Sequence, residues 1–248
     1  MTKHHSPYRM TLMVGALTWL SLTHIARAQQ TDLDGVASLD GVMEVSVGFG
    51  EIPFLSGSFK PSVSVGYHVN EYVYLGWTVQ LRDVLERGTE SFNAVDTGLG
   101  GIESTREETG IRSLLAVRLR PHRYSPFVSM GFVFNGSDRE VMHFDGRRRT
   151  IGAGSYDGAV VMEQTRPWGI RPAIGLGYSY QFETGLSLSM ELAGAFLSPA
   201  PAPDIRIDSQ ATLSDADRSA LSDRSKRAFA ENLHNRYHMF QLSAGYVW

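Results

Sequence analysis

The chain contains no cysteine, so disulfides and thiolate metal sites are excluded. Basic residues are not in excess either: 23 Lys and Arg stand against 26 Asp and Glu, a net charge of −3. A nucleic-acid-binding protein needs a basic stripe for the phosphates, and none is apparent. After residue 28 no apolar run approaches the roughly 20 residues that a membrane-spanning helix requires. These absences exclude a disulfide scaffold, a nucleic-acid partner and a helical membrane protein.

Catalytic motifs are also missing. The sequence has no Gly-x-Ser-x-Gly and no His-Glu-x-x-His, and His143 with Asp138 and Asp145 forms no recognised pattern. Histidines in polar segments are usually solvated rather than catalytic. We therefore expect no catalytic residue, no metal ligands and no cofactor.

The N-terminus resembles a secretory signal. Lys3 and Arg9 precede an apolar run from Met10 to Ile25, and the small-x-small sequence Ala26-Arg27-Ala28 follows it. The run is short for a membrane anchor, so we predict a signal peptide over residues 1–28, cleaved after Ala28. The mature chain would then hold 20 basic and 26 acidic residues, a net charge of −6.

Short segments of period-two alternation recur along the rest of the chain and predict β-strands. The clearest puts Val73, Leu75 and Trp77 on one face and Tyr74 and Thr78 on the other. The predicted strands span 41–50, 58–69, 72–83, 112–120, 126–135, 168–182 and 186–196, with an eighth ending at Trp248. In each, one face is aliphatic or aromatic and the other is small or polar. The first face suits lipid and the second a packed, partly polar interior.

The connections between these strands alternate in length. Those at 70–71, 121–125 and 183–185 are short, and those at 51–57, 84–111, 136–167 and 197–236 are longer. Membrane barrels have short periplasmic turns and long extracellular loops. We therefore predict an all-β fold, an eight-stranded antiparallel up-and-down transmembrane β-barrel over residues 41–248, after a short periplasmic segment at 29–40.

A soluble barrel of the lipocalin type is the competing interpretation, with the apolar face turned inward. The small and polar face also carries Glu44, Lys60 and Arg118, a mixture unsuited to a dry ligand cavity. The membrane barrel is therefore favoured.

The pattern resembles the small eight-stranded outer-membrane proteins of the OmpA/OmpX and OmpW types from Gly41 to Trp248. The last strand is similar to the signal that outer-membrane assembly machinery reads, with its positions at Gln241, Ser243, Tyr246 and Trp248. Ser243 stands where glycine is usual. The resemblance implies three partners: outer-membrane lipids, lipopolysaccharide and the assembly machinery. No peptidoglycan-binding domain follows Trp248, so tethering to the cell wall is not expected.

The charged residues predicted to face the lumen are the best candidates for a functional site. We expect Glu44, Arg118 and Glu191, in the periplasmic half, to form a salt-bridge network with Arg118 between the two glutamates. The interior of an eight-stranded barrel is just filled by side chains, and a buried charge without a partner costs several kcal/mol. Such a network would plug the lumen.

The outer half of the lumen carries only positive charges in this prediction. Lys60, Arg82 and Arg171 could form a vestibule that attracts anions. A narrow channel for small polar or hydrophobic solutes, as in the OmpW resemblance, therefore stays open as an alternative.

The long connections are predicted as surface loops with some order. Ser214 and Asp217 have the spacing of a helix capping box before the helix-permissive residues 215–234, and Arg147-Arg148-Arg149 could contact lipopolysaccharide phosphates. Surface loops on a rigid barrel commonly carry recognition. We therefore expect a non-enzymatic outer-membrane protein with a structural or loop-mediated surface role. The loops could bind a surface ligand whose identity the sequence does not indicate. A lipid-modifying enzyme is the least favoured alternative.

Overall fold

A computed structural model describes residues 39–50, 59–83, 92–122, 124–198, 201–231 and 236–248. The predicted signal peptide and most of the segment at 29–40 lie outside the described residues. No helix among the described residues is long and apolar enough to cross a membrane.

The described residues form strands and two helices. The strands are β1 Val42–Gly50, β2 Lys60–His68, β3 Val73–Gln80, β4 Ile102–Glu108, β5 Arg112–Leu119, β6 Phe127–Asn135, β7 Asp138–Phe144, β8 Arg149–Ile151, β9 Gly154–Tyr156, β10 Val160–Arg166, β11 Gly169–Gln181, β12 Leu186–Gly194, β13 Asp204–Ser209 and β14 His238–Val247. The helices are α1 Phe92–Asp96 and α2 Asp215–Glu231.

Eight of these strands close into an antiparallel barrel, which confirms the predicted fold class. The hydrogen-bonded order is β1-β14-β12-β11-β6-β5-β3-β2, so the first and last strands of the chain complete the ring. The β1 to β14 register pairs Glu44 with Val247 and Phe49 with Leu242. Closure leaves no unpaired sheet edge in the hydrocarbon region, which is the condition for strands to cross a membrane.

The side chains alternate across the barrel wall as the sequence predicts. Val47, Trp77 and Phe132 point outward and are 52%, 51% and 56% exposed, whereas Ser64 and Thr78 point inward and are buried. A water-soluble protein would not leave such an apolar girdle uncovered. The outer face is therefore suited to lipid.

The two ends of the barrel differ. Short connections join β2 to β3, β5 to β6 and β11 to β12 at one end, the turn end, and Asn70 Oδ1 accepts hydrogen bonds there from the amides of Tyr72 and Val73, both at 2.9 Å. The other connections leave the opposite end, the loop end.

All four long connections were predicted as surface loops with some order, including a helix over 215–234; three of them contain more regular structure than that. They contain a second sheet of four strands in the order β13-β10-β7-β4, a β8–β9 hairpin and both helices. We call these elements the cap. The strands of the cap are hard to recognise in the sequence because β7 and β10 carry polar residues on both faces. In β7, for example, Asp138 and Glu140 are buried on the same face as Met142. A charged strand of this kind lacks the clean alternation of a lipid-facing one.

The cap has a hydrophobic core of its own. Met142, Phe144 and Met162 from the middle strands are almost completely buried, and Leu221 of α2 packs with them. The buried members of the cluster are Ala94, Leu99, Met142, Phe144, Ile151, Val160, Met162, Ile207, Leu213 and Leu221. These residues come from all three connections, so the cap is a folded module and not a set of independent loops.

Helix α2 begins with the predicted capping box and also secures the β8–β9 hairpin. The amide of Asp217 donates to Ser214 Oγ at 3.1 Å, and Ser214 Oγ donates back to the Asp217 carboxylate at 2.7 Å. The same carboxylate accepts from the Tyr156 hydroxyl and from the amide of Ala153, the latter at 2.9 Å. One acidic side chain thus joins the helix to the hairpin.

This junction should weaken in acid. The pKa of Asp217 lies below its ordinary value of 3.8, because first Tyr156 and then Ser214 hydrogen-bond to the carboxylate. A folded-state pKa below the unfolded one gives stability that is complete above the ordinary value and is lost as pH falls through the folded value. Amide exchange at Ala153 should therefore accelerate below the ordinary pKa, and Asp217→Asn should accelerate it already at neutral pH. The matched control is Asp223→Asn, on the exposed side of the same helix; equal exchange in both variants would contradict the role of Asp217.

Candidate functional site: the closed lumen

An arginine held between two aromatic rings crosses the turn-end half of the lumen. Arg118 Nε and Nη2 donate to Glu191 Oε2 at 3.1 and 2.5 Å. The Arg118 guanidinium carbon lies 4.7 Å from the ring centroid of Tyr74 and 4.9 Å from that of Phe127. We call Tyr74, Arg118, Phe127 and Glu191 the plug. The stacking adds cation–π attraction to the ion pair.

Inward glycines make the space that the plug rings occupy. A Cβ atom on Gly66 would lie 2.1 Å from Tyr74 ring atoms, and one on Gly177 would lie 2.2 Å from Phe127 Cζ. Any side chain at either glycine would displace the facing ring. The glycines on the inner wall therefore allow the barrel to be filled rather than left open.

The hydrogen bonds of Glu44 go to His68 and Ser187 and not to the predicted partner, Arg118. His68 Nε2 lies 2.9 Å from Glu44 Oε2, and Ser187 Oγ donates to Glu44 Oε1 at 2.7 Å. Arg120 Nη2 is 3.4 Å from His68 Nδ1. His68 thus lies between Glu44 and Arg120 in the lumen.

The predicted pair of Arg118 with Glu191 is present, whereas Arg118 acts on Glu44 only by attraction between their charges, with no hydrogen bond recorded between the two. The hydrogen bonds recorded for Arg118 go to Glu191, and His68 occupies the position beside Glu44. The sequence pattern did not identify His68 as a partner of Glu44. Its position two residues beyond Gly66, the register partner of Glu44, was the available signal.

The loop-end half of the lumen is closed differently, by an apolar cluster. Its buried members are Leu114, Ala116, Val133, Ala173, Ala193, Ala195, Tyr237 and Met239. Two polar side chains span the lumen beside it: Gln80 Nε2 donates to the carbonyl of Phe240 at 2.6 Å, and Arg112 Nη1 donates to that of His238 at 3.1 Å. The lumen is therefore filled at two levels.

Comparison with known proteins agrees with this architecture. No protein-family model and no curated protein matches the chain. The solved structure of CarO2 from Acinetobacter baumannii is similar, with a TM-score of 0.54 and 13% identity over 86% of this chain and 100% of that one. CarO from the same organism gives 0.51 and 11% over 84% and 98%. The chain has the fold of a small eight-stranded outer-membrane β-barrel. Identities this low show the fold alone.

The three cations of the predicted vestibule differ in their exposure. Lys60 is buried in the lumen with 1% exposure, but Arg82 lies beyond the end of β3 and is exposed. Arg171 is partly exposed, and its Nη1 donates to the neighbouring Ile170 carbonyl at 3.3 Å. Long basic side chains near a barrel rim extend toward water. Of the three, only Lys60 is buried in the lumen, and attraction of anions by this set stays a prediction.

A buried polar junction between cap and barrel was missed by the sequence analysis. Asp138 pairs with Arg166 and accepts hydrogen bonds from the Gly110 amide at 2.7 Å and from Asn135 Nδ2 at 3.1 Å. The Arg166 guanidinium carbon lies 5.3 Å from the Tyr237 ring centroid. These groups attach the first strands of the cap to the rim.

The predicted assembly signal lies in β14 and at the residue after it. Gln241 is buried and donates to Ser64 Oγ at 2.8 Å, whereas Ser243 and Tyr246 are partly exposed. Trp248 is 45% exposed. Recognition of these residues by assembly machinery stays a prediction.

Proposed function

We propose that the chain is a non-enzymatic integral protein of the bacterial outer membrane, with a closed lumen and a cap that serves as its surface-interaction platform. The signal-like N-terminus supports export, and outer-membrane barrels have their short turns on the periplasmic side. The turn end then faces the periplasm and the cap faces the exterior. Lipids, lipopolysaccharide and the assembly machinery are the partners that this placement implies.

The observation that carries the proposal is the filling of the lumen at two levels. The stacked Arg118 and its ion pair with Glu191 close the turn-end half, and the cluster around Leu114 and Met239 closes the other. A solute crossing the barrel would have to displace both layers.

The cap supports a role in surface recognition because it is a packed structure at the loop end, where surface proteins usually bind their ligands. Its core fixes a four-stranded sheet whose outer face is polar, with Arg139 Nε donating to Glu163 Oε1 at 2.6 Å and His143 exposed nearby. A recognition surface built on packed strands is more precisely held than one on loops.

The narrow channel is the second candidate function. Glu191 Oε1 and Ser129 Oγ are buried and have no hydrogen-bond partner among the described residues. A water or a permeating polar solute could satisfy these atoms.

Conductance in a planar lipid bilayer tests the proposal. The refolded chain, shown to be folded by its mobility on an unheated SDS gel, should give no steady current. The Arg118→Ala/Glu191→Ala variant removes the ion pair of the plug and should still be silent, because the loop-end cluster remains. Steady current through the folded wild-type chain would contradict the closed lumen and favour the channel.

A further inference from the structure

Three neighbouring strands of the barrel wall continue directly into three strands of the cap. β11, β6 and β5 are adjacent in the barrel, and β10, β7 and β4 follow one another in the same order in the cap sheet. Short links join them: residues 109–111 between β4 and β5, 136–137 between β6 and β7, and 167–168 between β10 and β11. The cap sheet is therefore an extension of one side of the barrel wall.

The alternation of side chains is broken at all three links. Within a strand, residues two apart lie on the same face. Arg166 is buried, whereas Trp168, two residues later, is 65% exposed. At the other two links, residues three apart are both buried: Thr109 with Arg112, and Asn135 with Asp138. The wall therefore changes phase along one line that crosses three strands, and we call this line the wall break.

Side chains, rather than the neighbouring strands, satisfy several backbone groups at the wall break. Asp138 Oδ1 accepts a hydrogen bond from the Gly110 amide at 2.7 Å, and Ser137 Oγ donates to the Arg166 carbonyl at 3.0 Å. Pro167, in the third link, has no amide to donate. Buried backbone groups need partners, and here the regular ladder does not supply them. The coupling between cap and barrel is therefore weaker along this line than within either sheet.

Two glycines bring the backbones of neighbouring links into contact at the wall break. A Cβ on Gly110 would lie 2.5 Å from the carbonyl carbon of Gly136. Hinges consist of a few residues at the ends of elements that absorb changes in φ and ψ, and glycine tolerates such changes best. The cap has a packed core around Met142 and Met162, and the barrel has a closed ladder. Two packed bodies joined along a line of weaker coupling form a hinge.

Buried charges lie on both sides of the wall break. Asp138 pairs with Arg166 of the cap, while Arg112 is buried at the start of the barrel strand β5. Burial, and then the positive charge of Arg112, lower the pKa of Arg166 to about 10. Glu107 and Glu140, register partners in the cap sheet, add negative charge. Of the three acids, Asp138 also accepts from a link to the barrel, so its carboxylate connects the two bodies.

We propose that the cap is a lid that pivots about the wall break, and that Asp138 is the latch that holds it over the barrel mouth. The remaining connections between cap and barrel, at 81–91, 195–203 and 232–237, are longer in sequence, and longer chains span a wider range of distances. Asp138 is a positioning residue, because it fixes the tilt of the cap relative to the barrel. The lumen stays filled in both positions, so the inference goes beyond the proposed function without depending on it.

Distances between paired spin labels in the full chain, in nanodiscs, test the pivot. The chain has no cysteine, so introduced cysteines can be labelled without background. Asp223→Cys in α2 with Glu183→Cys at the turn end reports the distance from cap to barrel, and Asp223→Cys with Asp208→Cys reports the cap alone; all three positions are exposed. Adding Asp138→Ala should widen the cap-to-barrel distribution about twofold, because the hinge then samples other angles. The distribution within the cap should stay unchanged.

Further variants identify the contact responsible. Ser137→Ala removes one weaker hydrogen bond across the wall break and should widen the cap-to-barrel distribution less than Asp138→Ala. Asp138→Asn keeps an oxygen for the Gly110 amide but loses the charge, so its distribution should lie between those of the wild type and Asp138→Ala. The matched control is Asp204→Ala, at an exposed acid of the same sheet, which should change neither distance.

Two results would overturn the lid. One is a cap-to-barrel distribution that neither Asp138→Ala nor Ser137→Ala alters. The other is an equal widening of the distribution within the cap, which indicates local unfolding rather than a pivot. Neither result bears on conductance, so failure of the lid and failure of the closed-lumen proposal are separable.

Discussion

Replacing Arg118 with alanine is expected to lower the free energy of unfolding by about 3–5 kcal/mol, the usual cost of leaving one member of a buried ion pair without its partner. Glu191 is 2% exposed, and Arg118 supplies both hydrogen bonds recorded for its Oε2. The variant also removes the group stacked between Tyr74 and Phe127. Urea unfolding in lipid vesicles, followed by tryptophan fluorescence, measures the change.

Two further variants separate the ion pair from general damage to the barrel. Arg118→Met with Glu191→Leu replaces the pair by apolar groups of similar volume, and such exchanges are often close to neutral. Arg171→Ala removes an inward but partly exposed arginine and should cost less than about 1 kcal/mol. An unfolding midpoint that Arg118→Ala leaves unchanged would refute the plug as a stabilising element.

The barrel could be predicted from the sequence because its outer face suits lipid and its inner face a packed, partly polar lumen. Lipid demands apolar residues such as Leu75, Trp77 and Val79 at every second position, and this signal survives without knowledge of the neighbours. The plug was predicted in part. Arg118 and Glu191 had to find partners inside a narrow barrel, but the choice between Glu191 and Glu44 depends on register and side-chain reach, which a single strand does not reveal.

The cap could not be predicted in the same way. Its strands have water on one face and a small core of apolar and polar side chains on the other. The buried face of β10, for example, carries Met162, Gln164 and Arg166 in succession. Because the buried positions of β10 are both apolar and polar, no regular alternation appears in its sequence. The arrangement arises from pairing among three distant connections, which the barrel first brings together at one end.

The second large effect is expected from a substitution in the hydrophobic core of the cap. Phe144 is 1% exposed and belongs to the cap cluster with Met142 and Met162. Phe144→Ala should destabilise the cap by about 3–5 kcal/mol, because truncating a buried phenylalanine leaves a cavity that the surroundings fill only in part. The barrel has a closed ladder of its own, so it should stay folded.

Limited proteolysis separates the two responses. In Phe144→Ala the cap should be cleaved much faster than in the wild type, while the remaining barrel keeps its mobility on an unheated SDS gel. The control is Phe196→Ala, at a phenylalanine that is 41% exposed in the turn after β12. If the barrel unfolds together with the cap, the two form one cooperative unit and the cap is part of the barrel's stability. If the cap alone opens, the cap is an independent folding unit, held by the packed core that sequence periodicity failed to reveal.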